Sequence, residues 1–161
     1  MNTNLPNVSM LRHPVHFLSL GFGSGLAPKA PGTFGTIAAI PLYLALATTS
    51  SEIYISITTL LFLIGIFLCR VTAEAIGVHD HGAIVWDEIV GFLVTMSFVK
   101  YSLISVMLGF LLFRLFDILK PWPISWLDKK VHGGLGIMLD DLLAAIFAAA
   151  ILAYIEYLSY I

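Results

Sequence analysis

Charge is scarce in this sequence. Only 11% of its 161 residues are charged, 8 basic and 10 acidic, and 59% are hydrophobic; a soluble domain carries about 25% charged residues. A core cannot absorb that much apolar surface, because a domain of this size leaves roughly 30% of its unfolded-chain surface exposed. The excess points to lipid as part of the solvent. No basic stripe accompanies the net charge of -2, so nucleic acid is excluded as a partner. Cysteine is nearly absent: Cys69 stands alone, no intrachain disulfide is possible, and a reducing compartment is compatible. A secretory leader pattern is also missing, since Pro6, Arg12 and His13 interrupt the first residues before a long apolar core forms. Insertion through internal helices is expected instead, in a single domain covering residues 1–161.

What the sequence has is apolar runs. They predict an all-α fold, a multi-helical membrane-embedded bundle, with helices near 34–47, 53–69, 89–99, 102–116 and 142–161. The second and last can cross a hydrocarbon core of about 30 Å. The first carries Pro41, which can kink it or leave it partly inserted. The run from Ile89 to Phe116 would reach about 42 Å as one helix and place Lys100 at mid-membrane, at a cost of a few kcal/mol or more. A hairpin broken at Lys100-Tyr101-Ser102 is expected instead. Its arms are short for full spans, so spanning and re-entrant arrangements both stay open. Arg12, Lys29, Arg70, Arg114, Lys120, Lys129 and Lys130 fall on one side of such a topology and Lys100 on the other. The positive-inside rule makes the first side cytoplasmic.

The acids are the strongest chemical signal. Glu52 and Glu156 are peripheral, but Asp80, Asp87, Glu88, Asp117, Asp140 and Asp141 all fall at the ends of apolar helices expected on the cytoplasmic side. Carboxylates gathered there repel one another and call for a cation. Magnesium suits them, since it takes oxygen ligands and bridges carboxylates to phosphate. The plainer reading is helix capping: Asp87-Glu88 and Asp140-Asp141 precede apolar helices, where acids are favoured. Capping explains neither the repeated doublets nor Asp117, near a helix end where the dipole disfavours an anion. Arg114 and Lys120, three residues to either side, offer Asp117 an ordinary ion-pair network.

Two further segments admit two readings each. The stretch from Gly21 to Thr36 is rich in Gly and Pro before an apolar helix. Thr33 or Thr36 can cap that helix, and backbone donors near Gly32 and Thr33, with Lys29, can receive a phosphate; the plainer alternative is a turn where the chain meets the membrane. Its ending is not a phosphate-loop motif, because Gly-Lys-Ser/Thr is absent. After Asp117, Lys120-Pro121 stops a helix, and Trp122 and Trp126 read as interfacial anchors. Lys120 itself can snorkel or bind phosphate. His132, in the turn His132-Gly133-Gly134-Leu135-Gly136, is a secondary candidate for moving a proton, as Asp80 is for the acidic set.

Four blocks then converge. Ala30-Pro31-Gly32-Thr33-Phe34-Gly35-Thr36, Val85-Trp86-Asp87-Glu88-Ile89-Val90-Gly91, Phe116-Asp117-Ile118-Leu119-Lys120-Pro121-Trp122-Pro123 and the run from His132 through Leu139-Asp140-Asp141 resemble the phosphatidylglycerophosphatase A family, in its order and over about residues 20–145. The resemblance implies an all-helical enzyme of the bacterial inner membrane. Its reaction would be magnesium-dependent hydrolysis of phosphatidylglycerophosphate to phosphatidylglycerol and phosphate. On that reading Asp87, Glu88, Asp140 and Asp141 hold metal. Asp87, Asp117 and Asp141 are the catalytic candidates, with Asp117 completing the metal shell or acting as base or nucleophile. Lys29, Gly32, Thr33, Arg114 and Lys120 receive the substrate phosphate. The expected partners are a phospholipid and the bilayer; the oligomeric state is not indicated.

Rival readings make separate demands. A phosphotransferase of the CDP-alcohol type needs an Asp-Gly-x2-Ala-Arg signature that does not occur here. A cation transporter or channel needs acids along its spans. A structural subunit leaves the acids and the glycine loop without a common purpose.

Overall fold

The computed structural model describes residues 6–158. All regular structure among them is helical. A 3-10 turn, Val8–Arg12, leads into the short helix α1 (Pro14–Ser19), and a second 3-10 segment, Gly21–Leu26, leads to α2 (Pro31–Leu46). Then follow α3 (Ser51–Ile76), α4 (Trp86–Thr95), α5 (Leu103–Leu119), α6 (Ile124–Lys130) and α7 (Gly133–Leu158). Two of these, α3 and α7, are long and apolar enough to cross a membrane; each reaches about 39 Å. Exposed leucines, isoleucines and phenylalanines cover the outside of the bundle, as membrane association requires.

The run that held Lys100 is a hairpin, with α4 ending at Thr95 and α5 starting at Leu103. Its first arm is the surprise. At about 15 Å α4 cannot span a bilayer, and it has no need to. It is buried nearly all round, from Trp86 through Leu93, and packs against α2, α3, α5 and α7. A helix buried on nearly every face belongs at the centre of a larger structure, and α4 is the core of this one.

Burying apolar groups against apolar lipid gains little, so close contact between small residues holds such bundles together. Ala144, Ala145, Ala148 and Ala149 of α7 are buried for this reason. At Gly134 a Cβ would run into the Ile66 backbone carbonyl of α3. That contact fixes where α7 crosses α3.

Several boundaries differ from those expected. Helix α3 continues past Cys69 to Ile76, where Gly77 ends it in a left-handed conformation. Helix α4 covers 86–95, not 89–99, and α7 begins at Gly133 instead of 142, while residues 159–161 of that expected helix lie outside the described residues. Helix α2 continues through Pro41 without a break. The helices α1 and α6 had not been anticipated; six or seven residues carry too little periodicity to announce a helix.

Candidate active site

One end of the bundle gathers the acids. The N-terminal ends of α2 and α4, the C-terminal end of α5, the loop before α4 and the first third of α7 surround a cavity of about 270 Å³. Asp80, Asp87, Glu88, Asp117, Asp140 and Asp141 all line it, with Arg114, Lys120 and Gly32. At the opposite end, the Ser51 turn and Lys100 line a different cavity, and the Lys100 N–H donates to Glu156 at 3.1 Å. The carboxylates therefore collect at one end and do not run along the bundle, as an ion path would need.

Capping does not explain them. The N-cap of α4 is Val85, with no side-chain cap bond, and the Asp87 and Glu88 side chains face the cavity. Asp140 and Asp141 do not precede a helix at all: they lie about two turns inside α7, and both are 3% exposed. Neither Thr33 nor Thr36 caps α2, because the cap is Ala30 and the Thr36 hydroxyl donates to the Gly32 carbonyl at 2.9 Å.

The acids form two trios. Oxygens of Asp87, Glu88 and Asp141 lie within 4.8 Å of one another, and so do those of Asp80, Asp128 and Asp140. In the first trio Asp87 Oδ1, Glu88 Oε2 and Asp141 Oδ2 are buried without a hydrogen-bond partner. A buried carboxylate oxygen left so is costly unless a cation serves it. Two ligands across an octahedral magnesium-sized ion stand about 4.2 Å apart. An all-oxygen donor set of this spacing, with orphaned atoms, fits a hard divalent cation. Arg114 borders the trio, 3.6 Å from Glu88 Oε1 and ion-paired to Asp117.

The second trio has a cation of its own. Lys120 Nζ lies 2.5 Å from Asp140 Oδ2, 3.2 Å from Asp128 Oδ1 and 3.8 Å from Asp80 Oδ2. Burial works against the ammonium, but the bond to Asp140 and the charges of Asp80 and Asp128 outweigh it and hold the Lys120 pKa above the ordinary lysine value. The expected pairing of Asp117 thus holds for Arg114 only; Lys120 turns to the other trio.

Backbone strain marks the same place. Phe22, Ala30, Asp80 and Lys120 are the non-glycine residues with left-handed φ among those described, and the last three line this cavity. Each costs roughly 1–2 kcal/mol, and such strain concentrates at functional sites. Gly32 is forced by contact: a Cβ there would strike Glu88 Oε1 and stand 2.9 Å from the Arg114 guanidinium.

Three expected residues stand apart. Lys29 is exposed and outside the cavity lining. Thr33 is outside it too, and its N–H is committed to the Ala30 carbonyl at 3.0 Å. The His132 ring packs on His79, with centroids 5.4 Å apart, away from the acids. Asp128 was missed by the sequence reading. It lies eight residues beyond Lys120, at no helical spacing, and beside Lys129 and Lys130, which drew attention only as topological charges.

Comparison with known proteins gives the family. Residues 17–156 match the family described as phosphatidylglycerophosphatase A. A phosphatidylglycerophosphatase A of Haemophilus influenzae is 46% identical over 158 residues, 97% of this chain and 96% of its own. One of Escherichia coli is 46% identical over 146 residues, 90% of this chain and 85% of its own. No solved structure gives a significant match. A match over nearly the whole length, with the acids of three sequence blocks meeting in one cavity that Gly32 of the fourth also lines, makes this chain a member of the phosphatidylglycerophosphatase A family and thus a membrane-associated phosphoric monoester hydrolase.

Proposed function

We propose that this enzyme hydrolyses phosphatidylglycerophosphate to phosphatidylglycerol and inorganic phosphate, with magnesium, at the cytoplasmic face of a bacterial inner membrane that it crosses several times. The observation that carries the reading is the Asp87–Glu88–Asp141 trio with its orphaned buried oxygens. These three residues would hold the ion, with Asp140 beside them. Bound there, magnesium would neutralise charge on the phosphate and polarise it toward attack.

The remaining work falls to the chain's own groups. Arg114 presents its guanidinium to the cavity, and a planar fork of donors suits phosphate oxygens. Asp117 aims it, through their ion pair. Lys120 lends a second positive charge while anchoring Asp140. Gly32 lets α2 approach Glu88 and Arg114 closely, and its first-turn N–H, which no carbonyl of its own helix can serve, would donate to the phosphate. Asp117 also stands beside Asp141, so a proton released there has a neighbouring carboxylate to receive it. In the net reaction a water oxygen joins phosphorus, the bond from phosphorus to the glycerol oxygen breaks, and that oxygen takes a proton to become the hydroxyl of phosphatidylglycerol. The basic groups Arg70, Arg114, Lys120, Lys129 and Lys130 lie toward the acidic end, which supports a cytoplasmic orientation.

The test is phosphate release from phosphatidylglycerophosphate in detergent micelles by purified protein, first with magnesium and then with EDTA. Release that needs magnesium and vanishes with the chelator is expected. A folded protein that releases none would overturn the assignment.

A further inference from the structure

We infer that the cleft between α2 and α5 holds an acyl chain of the lipid whose phosphate is being cleaved, so that the substrate reaches the cavity sideways out of the bilayer; the inference rests on the function proposed above. The start of α2 and the end of α5 form two walls of the cavity, with α4 and α7 behind them. Both helices pack on α4, yet they hardly touch each other. Helix-to-helix packing therefore does not close the surface that leads from the cavity along α2 and α5.

Helical spacing identifies its lining. On α2, Gly32 faces inward toward Glu88 and Arg114, and Gly35 faces Val85 on one flank. At 100° per residue the other flank carries Thr33 at the cavity end and then Ile37, Ile40 and Leu44. On α5, Phe116 stacks on Phe147 of α7. The opposite flank carries Met107, Arg114 and Ile118. Ile37, Leu44, Met107 and Ile118 are all exposed, Ile118 by 66%, and Arg114 and Ile118 also line the cavity. Beyond Thr33 and Arg114 at the cavity end the strip is thus apolar, and it is continuous there with the charged groups.

That polarity is the pattern of a phospholipid. From Gly32 to Leu44 the strip runs about 18 Å, close to the hydrocarbon depth of one leaflet, about 15 Å. The lipid-facing side of α3, with Leu60, Leu63 and Phe67 exposed, has no such continuity, because no residue of α3 lines the acidic cavity. Contacts to the chain would supply binding energy remote from the reacting phosphorus.

The test uses a non-hydrolysable phosphonate analogue of phosphatidylglycerophosphate with a photoreactive diazirine in mid-chain, incubated with the whole protein and magnesium and irradiated. Labelling is expected at Ile37, Ile40 and Met107, competed by the analogue without the diazirine and not by an equal amount of phosphatidylglycerol. Equal labelling of Leu60, Leu63 and Phe67, or labelling that phosphatidylglycerol competes equally well, would mean ordinary bilayer contact and overturn the inference. As a second measurement, Ile37→Trp should lower kcat/KM on the long-chain substrate about tenfold and leave hydrolysis of the deacylated headgroup phosphate within about twofold. Equal loss on both, or on neither, counts against the cleft. Phosphate release by the unlabelled wild type separates the two claims: normal release with label elsewhere sinks the cleft alone, and no release sinks the function and the cleft with it.

Discussion

The Asp87–Glu88–Asp141 trio and the Asp80–Asp128–Asp140 trio share one cavity and one kind of side chain, and they are balanced in different ways. Lys120 reaches all three acids of the second. The first has Arg114 at its edge, 3.6 Å from Glu88, with that guanidinium also committed to Asp117. Two negative charges no more than 4.8 Å apart repel by about 3 kcal/mol or more at an effective dielectric near 20. Three such pairs rival the net stability of a whole domain. The outer trio meets that cost with a cation built into the chain. The inner trio has no such lysine, and on the function proposed above a cation from outside takes that place. On the function proposed above, ion binding falls to the inner trio and Lys120 ties the outer one together, although the residues are chemically alike.

Asp141→Asn and Asp87→Asn should break the comparison hardest. Each removes a charge that the inner trio needs for its ion, so phosphate release is expected to fall about a hundredfold or more while the protein still inserts. Insertion is checked by membrane fractionation beside the assay. Near-normal release from both variants would take the ion away from this trio.

Lys120→Met comes next. It leaves three carboxylates with no ammonium, frees Asp140 and removes a positive charge from the cavity, and a loss of roughly tenfold in kcat/KM is expected. In the Lys120→Met, Asp140→Asn double variant the losses should fall short of additive, since both act through one bond. Full additivity would mean that the two residues work separately. Asp128→Asn should be milder still. Asp128 is the more exposed partner, at 34% against 4% for Asp140, and solvent screens it; a change of about threefold or less is expected. A larger loss would move Asp128 into the ion site.

Much of this arrangement could be read in the sequence. The long apolar runs gave α3 and α7, and the cost of placing Lys100 at mid-membrane gave the hairpin. The doublets Asp87-Glu88 and Asp140-Asp141, with Asp117, marked the cavity before any geometry was known. The start of α7 was hidden by its own glycines. His132-Gly133-Gly134-Leu135-Gly136 reads as a flexible turn, because each glycine costs a helix about 1 kcal/mol. Yet Gly134 and Gly136 are where α7 meets the backbone at Ile66 and Val131, and packing overrides propensity there. The first turn of α4 was hidden in the same way, since two acids interrupt an apolar run without interrupting the helix. The bond from Lys120 to Asp128 and Asp140 joins residues on three segments, and no local pattern announces it.

The finest test of the comparison is alkaline titration. The Lys120 pKa is raised in the folded protein, while in the unfolded chain it takes the ordinary value near about 10.4. A raised pKa means that the stabilisation is whole below the unfolded value and is lost only as pH rises through the folded one. Between about pH 8 and pH 10, below the ordinary lysine value, the outer trio should therefore hold its cation and contribute no slope to stability. Thermal unfolding in detergent measures this directly. The difference in Tm between wild type and Lys120→Met should stay constant across that range, because the ammonium is fully charged throughout in the folded protein. A difference that shrinks steadily toward pH 10 would mean that Lys120 loses its proton early. The outer trio could not then be balanced from within, and the two trios would be alike in needing an ion.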